Sequence, residues 1–253
     1  MRDYFRALGM ELVKLKGTVA LAVVLSAPVL VVLLAFLQSL LHIFPMSSHS
    51  DSFGTSTWPS IAGQALSIWT VFLPLFVSLV TGLLADLEHR HHQWKHLFAL
   101  PVSRGAILAA KQTSAVLLML TSLMVLTVVS ALTVELWRRF LVTVPQFPFG
   151  DWHVVTSQVV VAALWMVAVQ TWVSLRWQSV LVGLGFGCFG VFLALLAKDE
   201  TGPVRALPWL LPSNVINGLA DGTSIDPWLW LGAAGGLLFS VLCGWDIVRR
   251  DVA

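Results

Sequence analysis

The sequence predicts an all-α membrane protein. Of its 253 residues, 57% are hydrophobic and 11% are charged, and the mean hydropathy is +0.85. A soluble domain carries about 25% charged residues, because charged side chains cover its surface. This chain has too few of them to cover its apolar side chains, so much of its surface must face lipid. The composition excludes a soluble enzyme, and a net charge of +2 does not indicate nucleic-acid binding.

Six apolar runs are candidates for membrane-spanning helices, each of which needs about 20 mostly apolar residues. The runs cover residues 18–44, 61–85, 113–137, 154–175, 180–197 and 228–245. The first run is longer than the apolar core of a cleaved signal peptide, so we expect it to remain a span. We therefore interpret residues 18–253 as a single six-span transmembrane domain.

The distribution of basic residues predicts the orientation of the spans. Lys and Arg accumulate in cytoplasmic loops. With six spans, eleven of the 15 Lys and Arg residues lie on the side of both termini and four lie on the other side. This imbalance predicts that both termini are cytoplasmic.

Residues 1–17 are predicted to form an amphipathic helix on the inner membrane surface. Phe5, Leu8, Leu12 and Leu15 recur at helical spacing, while charged residues, among them Glu11 and Lys14, lie on the polar face between them. We expect this interfacial helix to form an elbow that leads at an angle into the first span.

The segment 198–227 is expected on the outer side of the membrane. It is broken by Pro203, Pro208 and Pro212, yet it includes the apolar sequence Leu207–Pro212. These features predict a segment that dips into the outer membrane face or lies on it.

Glycines within the apolar runs are interpreted as helix-packing positions. The sequence GFGCFG at 185–190 resembles a dinucleotide-binding fingerprint, but it lies inside an apolar run rather than at a strand-to-helix turn. The pairs Gly183–Gly187 and Gly232–Gly236 have the GxxxG spacing that lets two helices approach closely in lipid. A phosphate-binding loop of the type GxxxxGK[ST] does not occur, so ATP hydrolysis by that device is excluded.

Two other classes of membrane protein are poorly supported. An intramembrane serine protease needs a serine in a GxSG-like setting within a span and a histidine on another span, and neither occurs. A proton- or sodium-driven transporter would bury ionisable groups along its path. The best candidate, Glu135, stands close to Arg138 and Arg139 and is interpreted as an interfacial carboxylate.

Four histidines lie within eight residues of the cytoplasmic loop between the second and third predicted spans. They are His89, His91, His92 and His96, with Glu88 immediately before them. Glu88, His92 and His96 could share one helix face, because they follow one another at intervals of four residues. No second cluster in the sequence supplies a fourth metal ligand. The pattern favours a polar docking surface over a metal site.

The loop 86–112 has the densest charge in the protein and is predicted to form a helix–turn–helix elbow. Pro101 disfavours helix at Leu100 and starts a turn. Ser103 can cap the following helix. The elbow joins the second and third spans on the cytoplasmic side, so a protein that binds it can move both helices.

This elbow resembles that of the permease subunits of type-2 ABC exporters. The residues that carry the resemblance are Glu88, Trp94, Leu97, Leu100, Pro101, Ser103, Arg104 and Lys111. The segment from Glu11 to Lys16 is similar to the N-terminal elbow helix of that family. Among these permeases, the chain is most similar to those of bacteriocin and lantibiotic self-protection and of peptide-antibiotic resistance, in which a PW element, here Pro208–Trp209, also recurs.

The resemblance implies a permease subunit in the bacterial cytoplasmic membrane that exports an amphipathic peptide, bacteriocin or antibiotic. Two such permeases, identical or different, would bind two cytoplasmic ATPase subunits, which bind ATP and Mg²⁺; the permease itself would bind no cofactor and would not be an enzyme. The implied roles are charge contacts for Glu88 and Arg104, anchors for Trp94 and Leu97, and a pivot for Pro101. His92, Ser103 and Lys111 complete the expected interface with the ATPase.

Other functions stay open on the sequence alone. The permease could export a lipid, a glycan or an ion, or the chain could be a non-transporting membrane anchor for an ATPase. The loop 86–112 could also be only a solvated connector. Substrate, homodimer or heterodimer assembly, and metal binding by the histidine cluster are not determined by the sequence.

Overall fold

The computed structural model describes residues 2–43, 60–89, 103–140, 149–177, 179–197 and 202–249. Regular structure in these ranges is helical, as predicted, and consists of eight α-helices and one short 3-10 helix. The helices are α1 (Arg2–Lys14), α2 (Val19–Ile43), α3 (Ser60–His89), α4 (Arg104–Phe140), α5 (Phe149–Arg176), α6 (Val180–Leu196), α7 (Leu211–Asp221) and α8 (Asp226–Arg249), with the 3-10 helix Pro203–Ala206 between α6 and α7.

Five helices in the described ranges are long and apolar enough to span a membrane. The candidate spans are Val19–Leu40, Ile61–Leu87, Gly105–Arg139, Trp152–Arg176 and Asp226–Asp246. Helices suit this environment because they satisfy their own backbone hydrogen bonds in lipid.

The fifth predicted span, 180–197, forms the shorter helix α6. This helix has 17 residues, which at about 1.5 Å per residue gives a length of about 25 Å. The hydrocarbon core of a bilayer is about 30 Å thick. The described residues therefore contain five candidate spans and one shorter apolar helix, and a sixth span stays a prediction.

The helices α3 and α4 are longer than their apolar runs. They contain 30 and 37 residues, which correspond to about 45 and 55 Å. Both exceed the thickness of the hydrocarbon core, so their ends extend beyond it. The segment that joins them, 90–102, lies outside the described residues.

The centre of the bundle is formed by α3 and α5. Helix α3 packs against α2, α4, α5, α6 and α7. Helix α5 packs against α3, α4, α6, α7 and α8. Trp69 of α3 and Met166 of α5 are fully buried. Trp152 at the start of α5 is also buried and donates a hydrogen bond from Nε1 to Thr127 Oγ1 of α4 at 2.8 Å.

The apolar faces of α2 and α8 that point away from the bundle are exposed. Leu30 and Leu34 represent this surface on α2, and Leu237 and Val241 represent it on α8. Exposed apolar side chains at these positions are typical of a surface that faces lipid rather than water.

The predicted packing glycines lie at contacts between helices of the same chain. A side chain at Gly187 would collide with Ser78 of α3. A Cβ atom at Gly232 would lie 2.6 Å from the Ala162 backbone of α5, and one at Gly236 would lie 2.9 Å from Leu164. These glycines let α6 approach α3 and α8 approach α5.

The segment after α6 is packed against the bundle. Leu210 and Leu211, from the apolar sequence predicted to dip into the membrane or lie on it, are buried, and so is Val215 one turn later. Helix α7 ends at Asp221 and is capped by Gly222, whose positive φ of 65° is a left-handed conformation that suits glycine.

Candidate coupling site

The connection between α3 and α4, which we call the joint, corresponds to the predicted elbow. The sequence predicts the interface with the ATPase at this joint. Helix α3 ends at His89 and α4 begins at Arg104. The predicted residues His92, Trp94, Leu97 and Pro101 lie outside the described residues. Glu88 and Arg104 lie in described helices, but their side chains are outside the description.

Ser103 caps the start of α4, as the sequence predicts. Its hydroxyl Oγ accepts a hydrogen bond from the Ala106 backbone N–H at 3.3 Å. Its carbonyl oxygen accepts hydrogen bonds from the N–H groups of Ala106 and Ile107. Ser103 is exposed, and its cap satisfies one of the backbone donors at the helix start that have no partner within the helix.

Lys111 lies in the interior instead of at the expected surface for an ATPase. Its side chain is 3% exposed, and its Nζ lies 3.1 Å from Oε2 of Glu11 in α1. The other carboxylate oxygen of Glu11 lies 3.3 Å from Nζ of Lys14. A buried ammonium group needs a partner of opposite charge, and Glu11 provides one. The structure thus places the Lys111 side chain between α1 and α4, and its contact with an ATPase stays a prediction.

Glu11 is a functional candidate that the sequence pattern assigned to the polar face of α1. The buried residues of α1 and the turn after it are Ala7, Glu11 and Leu15, which follow one another at intervals of four residues. This spacing places Glu11 on the side of α1 that packs against α4. In the sequence, Glu11 lies between Leu8 and Leu12 of the apolar pattern, and this position was the available signal of its burial.

The predicted membrane face of α1 is on another side of the helix. Phe5 is 65% exposed, Leu12 is exposed and Leu8 is half-buried. Lys14 is half-buried in its ion pair with Glu11. Helix α1 thus has one face against α4 and a second apolar face that is open, as an interfacial helix requires.

A second contact joins α1 to α4 close to the ion pair. The Tyr4 hydroxyl donates a hydrogen bond to Thr113 Oγ1 at 2.9 Å. Thr113 donates its own proton to the Ala109 carbonyl one turn earlier. We call Tyr4, Glu11, Lys111 and Thr113 the α1–α4 clamp. It lies about 10 Å along α4 from the first residue of that helix.

The contacts of this region hold α1 in place on α4. In the described ranges no group of three or more His, Cys, Asp or Glu residues could hold a metal ion. The clamp instead combines a buried ion pair with a hydrogen bond. Such contacts fix the position of one helix on another, because separating them would leave charges without partners in an apolar environment.

Comparison with known proteins identifies the family. The sequence model described as "ABC-2 family transporter protein" matches residues 7–194, about three quarters of the chain. No curated protein is significantly similar to the chain. The matched region includes Glu11, Lys111, the joint between α3 and α4, and four of the five candidate spans. The chain therefore belongs to the ABC-2 transporter family, whose members are membrane components of transporters and associate with ABC ATPase subunits.

Proposed function

We propose that this permease is the membrane subunit of an ATP-driven exporter that moves an amphipathic peptide, bacteriocin or antibiotic out of the membrane or the cell. Family membership supports the permease role and the association with an ABC ATPase. The class of substrate rests on the resemblance of the elbow and of Pro208–Trp209. The proposed location is the bacterial cytoplasmic membrane, with both termini in the cytoplasm.

The α1–α4 clamp is the observation that carries the proposed mechanism. Helix α4 starts at the joint, and the clamp attaches α1 to α4 two turns further on. After α1, a tight turn leads into α2, in which Thr18 donates a hydrogen bond from Oγ1 to the Leu15 carbonyl at 2.8 Å. A displacement of the joint would therefore reach α3 and α4 directly. It would reach α2 both by the packing of α2 on these helices and through α1.

The ATPase would move the joint. In this proposal two permeases bind two ATPase subunits, which hold ATP and Mg²⁺. Trp94 and Leu97 anchor the joint in a groove of the ATPase, because aromatic anchors contribute much of the binding energy of interfaces. Glu88 and Arg104 supply charge contacts, and Pro101 is the pivot. Closure of the ATPases brings the two joints together and tilts the attached spans.

The replacement Trp94→Ala tests the position of the interface. The permease and its ATPase are reconstituted in nanodiscs, and the rate of ATP hydrolysis is compared with that of the ATPase alone. We expect Trp94→Ala to lose the stimulation while membrane insertion is unchanged. Trp230→Ala removes the same side chain from the exposed face of α8, where Trp230 is 75% exposed, and serves as the control. Stimulation of the wild-type size by Trp94→Ala would show that the joint is not the interface.

The class of substrate is tested separately in cells. A strain that lacks the permease is exposed to a panel of lantibiotics and cyclic peptide antibiotics. The proposal predicts increased sensitivity to at least one cationic amphipathic peptide, restored by the wild-type gene. Unchanged sensitivity across the panel would count against peptide export and would favour lipid, glycan or ion export.

A further inference from the structure

A cavity of about 270 Å³ lies between α3, the end of α6 and α7. Its wall includes Phe72, which is 45% exposed, and Leu195, which is also exposed. The cavity therefore opens to the outside of the chain. Its volume is slightly below the range of about 300–1,000 Å³ for pockets that enclose a whole small molecule, so it suits one segment of a larger ligand.

The cavity lies at the depth of the hydrocarbon core. Its α3 residues extend from Ser67 to Phe72, which places them 6–11 residues inside the candidate span that begins at Ile61. At about 1.5 Å per residue, this corresponds to about 9–16 Å from the start of the span. A ligand would therefore reach the cavity from the membrane.

Polar groups line this cavity although its surroundings are apolar. Thr70 and Ser213 donate their hydroxyl protons to the carbonyls of Ser67 and Leu210, both at 2.9 Å. Each hydroxyl oxygen can still accept a hydrogen bond. Asn217, one turn beyond Ser213, also lines the cavity, and its side chain makes no hydrogen bond to another residue in the described ranges. Asn217 is half-buried, so its amide can form a hydrogen bond with a ligand in the cavity.

The kinds of polar group in the cavity wall define the ligand further. None of the described residues that line the cavity is charged. The hydroxyl oxygens accept hydrogen bonds, and the Asn217 amide both donates and accepts them. A neutral carbonyl group beside an alkyl chain matches this combination, because the chain fills the apolar part and the carbonyl accepts from Asn217.

We propose that this cavity binds an acyl segment with its adjacent neutral amide or ester carbonyl. Two sources have this chemistry, an acylated or hydrophobic peptide and a membrane phospholipid. The site rests on the contacts of α3, α6 and α7 and not on the joint, so its test is independent of ATPase coupling.

Photolabelling of the full chain in nanodiscs tests the site. One arm uses a phospholipid with a diazirine in its acyl chain, and the other uses an uncharged N-acylated dipeptide amide with the same diazirine. Adducts are located by mass spectrometry. We expect them to concentrate on segments 67–72, 194–197 and 213–217. Labelling of these segments by the lipid alone, by the peptide alone or by both upholds the site and identifies the source.

Three variants make the result specific. Ala194→Trp fills the cavity and is expected to lower labelling there about tenfold. Leu237→Trp adds the same indole on the exposed face of α8 and should leave labelling unchanged. Asn217→Leu keeps the volume but removes the amide, and we expect it to lower labelling by the peptide probe about fivefold.

Three outcomes would overturn the proposal. The first is cavity labelling no stronger than labelling of the outward face of α8. The second is labelling that neither Ala194→Trp nor Asn217→Leu lowers. The third is an adduct or crosslink that shows a second copy of the chain occupying the cavity.

Discussion

Glu11 in α1 and Lys111 in α4 form a buried ion pair with 3.1 Å between Oε2 and Nζ, although 100 residues separate them in the chain. Both side chains are almost fully enclosed. The pair connects the helix that precedes the first span to the helix that follows the joint. It therefore gives a displacement of the joint a second route to α2, beside the direct packing of α2 on α3 and α4.

Replacement of Lys111 by Met should destabilise the chain. Met fills a similar volume but leaves Glu11 buried with only its half-buried partner Lys14. Breaking a buried ion pair costs about 3–5 kcal/mol, and the remaining Lys14 contact favours the lower end of this range. Thermal unfolding in nanodiscs measures the change. The control Lys14→Met, in a more exposed pair, should cost about 1 kcal/mol or less. Equal effects of the two replacements would contradict burial of the Lys111 contact.

Tyr4→Phe tests the second contact of the clamp. The replacement removes only the hydroxyl that donates to Thr113 Oγ1, so we expect a loss of about 0.5–1.5 kcal/mol. Thr113→Val removes the acceptor. If the two groups bond to each other, the double variant loses less stability than the sum of the single losses. Additive losses in the same unfolding measurement would show that the two side chains do not interact.

The glycines of α6 offer a matched pair of replacements. Gly187→Ala introduces a Cβ atom that collides with Ser78, and overpacking of this kind costs about 1–3 kcal/mol. Gly185→Ala is two residues away, where a Cβ atom meets nothing within 4 Å. It should be neutral or slightly stabilising, because alanine favours helix over glycine. Similar unfolding temperatures for both variants would mean that α6 does not pack on α3 through Gly187.

Asp246 connects the ends of α5 and α8 by two contacts of different strength. It accepts a hydrogen bond from Trp172 Nε1 at 2.9 Å, and Arg176 lies 3.8 Å away. Asp246→Asn keeps an acceptor for Trp172 and removes the charge that pairs with the partly exposed Arg176, so we expect it to cost about 1 kcal/mol or less. Asp246→Leu also removes the acceptor and should cost about 1–3 kcal/mol more. Unfolding measurements that rank the variants in the reverse order would contradict these roles.

Local patterns in the sequence predicted most of the helices but not the contacts between distant ones. Apolar runs locate the spans because lipid contact imposes a composition on each segment separately. Ser103 was predictable for the same reason, since a helix cap depends only on its neighbours. The partner of Lys111 lies 100 residues away, and no local spacing contains that information. Lys111 was therefore assigned to a surface, and Glu11 to the polar face of α1.

The length of α6 and the packing of α7 show the same limit. The composition of residues 180–197 is apolar enough for a span, but the helix it forms is shorter than the hydrocarbon core. The prolines and the apolar sequence of the next segment predicted that it dips into the outer membrane face or lies on it. Its packing on the bundle through Leu211 and Val215 was not predicted, because that contact depends on the positions of α3 and α5.

ATP-driven transport by charge-reversed variants tests the role of the clamp most directly. The measurement is efflux of a fluorescent amphipathic peptide from vesicles that contain the permease and its ATPase, with the rate of ATP hydrolysis recorded in parallel. For Glu11→Lys and for Lys111→Glu, we expect efflux to fall by about tenfold, the equivalent of about 1.4 kcal/mol in coupling, while the ATPase still binds. The double variant Glu11→Lys/Lys111→Glu restores opposite charges and should recover most of the efflux. Wild-type efflux by both single variants would contradict the account, as would a correctly inserted double variant that transports no better than either single one.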